Sequence, residues 1–238
     1  MTARFRSTSW TLVRDAREGR TPEAREALAR LCEDYWQPLY GFVRRLGYDV
    51  ERARDLTQGF FARLIEKDVL SHADPARGRF RSFLMASIRH YASNEREAEL
   101  AGKRLPPGGL QSLDFVSAEQ QYSREPADVI TPEAIFERQW AAAIVGRAVE
   151  VLQAECAGDP RKLALASRMA AQARGDEPEG TLRELANQLG AAEGALRMAN
   201  LRLHQRFHAL LTSQVAETVA DPREVKAELA YLLRVLAG

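Results

Sequence analysis

The sequence predicts an all-α protein of two small helical domains joined by an extended linker. Three observations carry that prediction. Apolar residues recur at three- and four-residue steps through most of the 238 residues, the stripe of helices that bury one side. A helix-start signal repeats at Thr21-Pro22-Glu23, Thr131-Pro132-Glu133, Asp159-Pro160 and Asp221-Pro222-Arg223-Glu224, where a capping oxygen precedes a proline that suits the first turn. The run Leu105-Pro106-Pro107-Gly108-Gly109 then interrupts the pattern, and no sustained period returns before Ile130. The boundaries that follow are a helical domain over 1–104, a linker over 105–130 that leans acidic through Asp114, Glu119, Glu125 and Asp128, a second helical domain over 131–213, and a helical extension over 214–238.

In chain order, residues 4–19 hold Phe5, Trp10, Leu12 and Val13, a short helix laid on the first domain. From Thr21 a helix carries Leu28, Leu31, Cys32, Tyr35, Trp36, Leu39, Tyr40, Val43 and Leu46 inward; Pro38, lacking an N–H, is expected to kink or divide it, and Gly47 ends it. Asp49 caps the next helix, 50–67, with Val50, Ala53, Leu56, Phe60, Phe61, Leu64 and Ile65 inward and Glu51, Asp55 and Gln58 outward. Gly59 in its middle costs about 1 kcal/mol relative to Ala, which points to a close approach there. After a loop over 71–78, the helix over 79–104 sets Phe80, Phe83, Leu84, Ile88 and Tyr91 on one side. The other side gathers Arg81, Ser82, Arg89, His90, Ser93, Asn94 and Arg96, cations and hydrogen-bonding groups suited to phosphates and base edges. Taken by itself, that surface also fits an ordinary solvated helix.

In the second half, Phe136, Trp140, Ile144, Val149 and Leu152 form one stripe, and Leu163, Ala166, Met169 and Ala170 the next. Thr181-Leu182-Arg183-Glu184 is a capping box that opens a short helix, 182–189, stopped by Gly190. A longer helix follows within three residues, with Leu196, Leu203, Phe207 and Leu210 inward and Arg197, Asn200, Arg202, His204, Gln205 and Arg206 outward. A short capped helix, a tight turn and a longer helix make the helix-turn-helix pattern. The last helix sets Val225, Leu229, Leu232, Leu233 and Leu236 inward.

A formal net charge of +1, from 34 Lys and Arg against 33 Asp and Glu, places any nucleic-acid role on local patches. Cys32 and Cys156 lack metal-ligand spacing and read as buried thiols of a cytoplasmic protein. No signal peptide or membrane-length apolar run is present in the sequence, so membrane insertion is not expected. His204 and His208 are four apart, but neither a third ligand nor an HExxH glutamate accompanies them, so no metal is expected. No nucleophile, phosphate loop or paired carboxylates stand out, which leaves an enzyme as the weakest reading and implies no cofactor.

Nearly the whole chain resembles a bacterial RNA polymerase sigma factor of the extracytoplasmic-function type. Arg54-Asp55-Leu56-Thr57-Gln58-Gly59-Phe60-Phe61 is similar to the signature that docks on the polymerase clamp, which implies polymerase contacts for Arg54, Asp55, Gln58 and Phe61. The span from Arg79-Phe80-Arg81 through Asn94-Glu95-Arg96 resembles the helix that opens and reads the minus-ten element. It implies DNA contacts for Arg81, Arg89, His90, Ser93, Asn94 and Arg96, with Phe83 and Tyr91 in support. Residues 181–211 resemble the region that reads the minus-thirty-five element, implying contacts for Arg197, Asn200, Arg202 and Gln205. The segments Arg6-Ser7-Thr8-Ser9-Trp10-Thr11-Leu12-Val13 and Val219-Ala220-Asp221-Pro222 are similar to one large subgroup of these factors.

The resemblance implies a transcription initiation factor whose partners are core RNA polymerase, promoter DNA and an anti-sigma or other regulator, with the acidic linker running in the RNA path. The chain departs from the family's pattern at His90, where many members have Asn, and at Ala192, where a Ser cap is common. It also departs at Asn200, where an apolar residue is frequent, and at His204, Gln205 and His208, where Arg or Lys are common. Neutral groups in place of cations weaken phosphate binding. The alternative is therefore a helix-turn-helix regulator, or a sigma-like interaction module with weakened DNA reading.

Overall fold

The computed structural model describes residue 10, 13, 16, 21–66, 68–100, 114–123, 131–177 and 180–237. Among these there are nine α-helices and no strand: α1 (Pro22–Arg45), α2 (Val50–Glu66), α3 (Phe80–Leu100), α4 (Phe115–Ser123), α5 (Pro132–Cys156), α6 (Pro160–Ala173), α7 (Leu182–Gln188), α8 (Glu193–Thr218) and α9 (Val225–Ala237). Short 3-10 turns precede α3 (Asp68–His72 and Pro75–Arg77) and α9 (Pro222–Glu224). The all-helical prediction holds.

The start signals act as written. Thr21 and Thr131 accept from the N–H of Ala24 and Ala134 at 3.1 and 3.2 Å. Asp159 accepts from Arg161 and Lys162, and Asp49 from Arg52 at 2.8 Å. In the Thr181–Glu184 box each side chain receives the other residue's backbone N–H, at 3.2 and 2.7 Å. Ala192 stands at the N-cap of α8 with no side-chain bond, leaving a turn that a hydroxyl or carboxylate would strengthen by about 1 kcal/mol.

One long helix from each half, α1 and α5, lie against each other and form the centre of the molecule. Gly41 is the point of closest approach: a Cβ there would stand 2.9 Å from Cδ and Nε2 of Gln139 and nearer still to Oε1. Tyr35 stacks on Phe136 with centroids 6.3 Å apart, and Arg147 reaches Asp34 at 2.9 Å. The apolar core around this contact runs from Val13 and Ala16 through α1, α2 and α3 to Phe136, Trp140, Ile144 and Ala148 of α5, and on to Leu211, Val215 and Leu232. A second, smaller core gathers Leu152 and Cys156 of α5 with Leu165, Met169, Ala186, Leu196 and Leu203. Residues of α5 therefore belong to both cores. Both thiols are free and buried, and burial beside Glu33 pushes the Cys32 thiol up to about 12.

Three expectations need correction, and one is narrowed. Pro38 does not divide α1, which continues from Pro22 to Arg45. The missing hydrogen bond is offset by burial of Pro38, Leu39 and Tyr40 in the core. The stretch 105–130 is not wholly a linker without structure, because it contains α4. Asp114 caps that helix through Ser117 N at 3.1 Å and Ser117 Oγ at 2.6 Å. The helix then lies on α1, where Phe115 meets the rings of Trp36 and Tyr40 edge-on, both at 5.3 Å. Val50, expected inward, is 43% exposed at the first position of α2, and Leu233 and Leu236 of α9 are 52% and 38% exposed, facing away from the core that takes Leu232. The Pro/Gly run at 105–109 and most of the helix expected over 4–19 lie outside the described residues; of the latter, Val13 and Ala16 are buried and Trp10 meets Phe80 at 5.9 Å.

Candidate nucleic-acid interface

Gly59 lets α2 and α3 come together: a Cβ there would lie 3.3 Å from Cζ of Tyr91, with the hydroxyl closer. The Tyr91 ring sits 6.1 Å from Phe60 and under the Arg63 guanidinium at 5.8 Å, and burial raises its hydroxyl pKa to about 12. Beside this contact a cleft of about 590 Å³ opens between the two helices and the 3-10 turn, lined by Phe60, His72, Phe83, His90, Tyr91 and Asn94. Asn94 Nδ2 and His90 Nε2 are 3.2 Å apart across one helical turn. Ser93 and Arg96 are exposed on the same helix. Four of the residues that carry the minus-ten resemblance, Phe83, His90, Tyr91 and Asn94, thus line one aromatic-walled cleft with a polar lip.

Asp55 is exposed on α2 and Gln58 is half-buried one turn on. Arg54 is exposed, with its guanidinium 5.2 Å from the Phe115 ring of α4. Phe61, expected at the polymerase surface, is 1% exposed and packs on Phe60, so its position in the apolar stripe makes it a core residue. Glu119, expected to lend its charge to the linker, accepts from Tyr40 at 2.5 Å and from Arg44 Nε and Nη2 at 2.9 Å. The hydrogen bond from Arg44 holds its carboxyl below the usual range.

Arg81 is the largest correction. Expected on the exposed side of α3, it is 3% exposed. Its Nε lies 2.9 Å from Glu137 Oε1, another of its nitrogens pairs with Glu228, and its guanidinium lies between Trp140 at 4.2 Å and Tyr231 at 5.2 Å. Burial works against the Arg81 charge, but Glu137 and Glu228 outweigh it and raise the pKa. Burial raises the Glu137 carboxyl as well, against the pull of Arg81. Arg79 pairs with the same Glu228 and lies 5.4 Å from Tyr231. Arg89, further along α3, remains exposed and pairs with Glu133.

Sequence reasoning missed Arg79, Glu133, Glu137, Glu228 and Tyr231. One signal was present: Glu228 falls three residues after Val225 and four before Leu232, inside the stripe of α9. A carboxylate on a buried stripe requires a cation opposite it.

On α8, Arg197, Arg202 and Gln205 are exposed and Asn200 is half-buried. Arg197 pairs with Glu193 at 2.6 Å, and the Asn200 carbonyl meets His204 Nδ1 at 2.9 Å. Arg206 forms a two-pronged pair with Glu155, whose carboxyl it lowers through the hydrogen bonds. A groove of about 890 Å³ runs between α7 and α8, bordered by Thr181, Arg183, Arg197, Asn200, Leu201 and His204. Met198 and Leu201 are 51% and 50% exposed on this helix. Among the described residues no group of three His, Cys, Asp or Glu side chains is gathered for a metal ion, and no helix is long and apolar enough to cross a membrane. No family model, curated protein or solved structure matches the chain.

Proposed function

We propose that the protein is a transcription initiation factor of the sigma type. It binds core RNA polymerase, opens the minus-ten element of a promoter and reads the minus-thirty-five element. On this reading the chain works as two helical parts, 1–104 and 131–213, joined by 105–130. The observation that carries it is the cleft between α2 and α3. Its aromatic walls Phe60, Phe83 and Tyr91 and its polar lip His90 and Asn94 suit an unstacked base, which exposes a face and an edge. Arg89 and Arg96 are exposed cations elsewhere on α3, available to the backbone. Asp55 and Gln58 on the adjoining helix are the polymerase contacts, and α8 presents Arg197, Arg202 and Gln205 to the major groove. Function rests here on residue resemblance and site chemistry, since a helical fold hosts many activities.

Run-off transcription with purified core polymerase is the test. The expected result is a discrete start on a matching promoter. It should be lost with Asp55→Ala plus Gln58→Ala, through core binding weakened by about tenfold or more while helical content is unchanged; that corresponds to about 1.4 kcal/mol, the scale of one or two charged hydrogen bonds. Absence of both core binding and a specific start overturns the proposal.

A second reading is favoured by one observation. The half-exposed Met198 and Leu201 share α8 with cations already paired to Glu193 and Glu155. That surface suits a protein regulator better than phosphates, so core binding without promoter-specific initiation would identify an interaction module.

A further inference from the structure

α9 holds to the rest of the chain through one buried carboxylate, one buried leucine and the partly buried Val225, Leu229 and Val235. Glu228 and Leu232, both 0% exposed, are its buried residues. Glu228 holds Arg79 and Arg81 together, Glu137 of α5 holds Arg81 from the other side, and Tyr231 of α9 lies beside both guanidinium groups. Glu133, one turn before Glu137, takes Arg89. Arg79, just before α3, and Arg81 and Arg89 within it thus meet three carboxylates drawn from α5 and α9.

We propose that α9 is an intrachain latch: in the free chain Glu228, with Glu137, occupies the guanidinium groups of Arg79 and Arg81, and nucleic-acid phosphate reaches these cations once α9 lets go. The inference rests on the reading of α3 as a nucleic-acid surface and adds how that surface is withheld. A guanidinium fork fits a carboxylate and a phosphate by the same geometry, so the two occupants exclude each other. With Arg81 3% exposed, phosphate has no path to it unless α5 or α9 moves. α5 is the less movable, because Ile135, Phe136, Trp140 and Ile144 anchor it at 2% exposure or less. α9 is anchored less deeply, with Val225, Leu229 and Val235 partly buried and Leu233 and Leu236 facing outward. A buried ion cluster gains little net free energy, since desolvation offsets most of the attraction. The closed form is then held by a small margin, and a polyanion that binds the open form alone draws the population across.

The test uses the full chain. Glu228→Gln keeps the shape of the side chain and removes its charge. Two quantities are measured: amide exchange along 225–237, and binding of a fluorescein-labelled mixed-sequence single-stranded DNA of about 20 nucleotides over a salt series, long enough to cover a site of this kind. The expected result is faster exchange in α9 together with DNA binding about tenfold tighter than wild type and a steeper salt dependence, since two more cations meet phosphate. Adding Arg81→Met should abolish the gain. If Glu228→Gln does not fold, Tyr231→Ala makes the same comparison, because it removes the ring beside both guanidinium groups and leaves both carboxylates. Unchanged exchange, or faster exchange with unchanged DNA affinity, overturns the latch. Run-off transcription by the wild-type chain separates the two ideas: a specific start combined with no effect of Glu228→Gln overturns the latch and leaves the initiation-factor reading standing, whereas faster exchange with neither DNA binding nor a specific start overturns both.

Discussion

A methyl group at position 41 has nowhere to go unless Gln139 moves, and Gln139 is 3% exposed with its Oε1 already without a hydrogen-bond partner. Two effects compete in Gly41→Ala. Helix propensity favours Ala by about 1 kcal/mol, whereas overpacking a buried contact costs about 1–3 kcal/mol. The collision wins, so Gly41→Ala should lower stability by about 1 kcal/mol in urea unfolding. In a Gln139→Ala background the obstruction is gone, and the same change should stabilise by up to about 1 kcal/mol. If the sign of the Gly41→Ala effect is the same in both backgrounds, the close approach of α1 and α5 at this pair is not what fixes glycine there. Arg81 teaches the converse at this scale. Its neighbours in sequence, Ser82 and Phe83, say nothing of the two carboxylates that bury it, because those come from residues 137 and 228.

Among the elements, α4 is held to the molecule by charge as well as by apolar contact. Glu119 ties it to Arg44 and Tyr40, Gln121 meets Gln37, and Phe115 rests on Trp36 and Tyr40. The Glu119 carboxyl is lowered from 4.5, chiefly by the hydrogen bond from Arg44. A depressed folded-state pKa contributes stability above the unfolded value that is lost as pH falls through the folded one. Amide exchange in 115–123 should therefore accelerate as pH falls below 4.5, before exchange in α1 does, after correction for intrinsic rates. Glu119→Gln should make that exchange fast at neutral pH and flatten its dependence in the acid range. An α4 equally protected in both proteins at neutral pH would show that apolar contact alone holds it. The sequence identified the starts of α1, α2, α5, α6 and α7 by their capping residues, whereas α4 escapes a period-based reading because nine residues are too few to display a helical period.

For the molecule as a whole, the shared core makes the two halves interdependent. Removing residues from 131 onward strips Phe136 and Trp140 from α1 and α3, a loss of about 3–5 kcal/mol for each ring on the scale of large-to-small core substitutions. A chain ending at residue 130 should lack the sharp thermal transition of the full chain and aggregate on heating. A fragment that melts as cooperatively and as high as the full chain would show that the first half folds alone. The candidate site divides in the same way. His90, Ser93, Asn94 and Arg96 share the accessible side of α3 because three- and four-residue spacing dictates it, and that much was legible in the sequence. The walls of the cleft, Phe60 and His72, come from other elements and were not.

The sequence by itself determined the described helices other than α4, the caps of α1, α2, α5, α6 and α7, the inward stripes of α1, α3 and α5, and the side of α3 that carries His90, Ser93 and Asn94. These are local properties, set within a few turns by hydrogen-bond geometry and by the period of apolar residues. Tertiary structure alone decided that α1 meets α5 at Gly41, that α4 lies on α1, and that Arg81 is buried between Glu137 and Glu228. A charge on a helix carries no mark of the residue that will neutralise it when that partner lies 56 or 147 positions away.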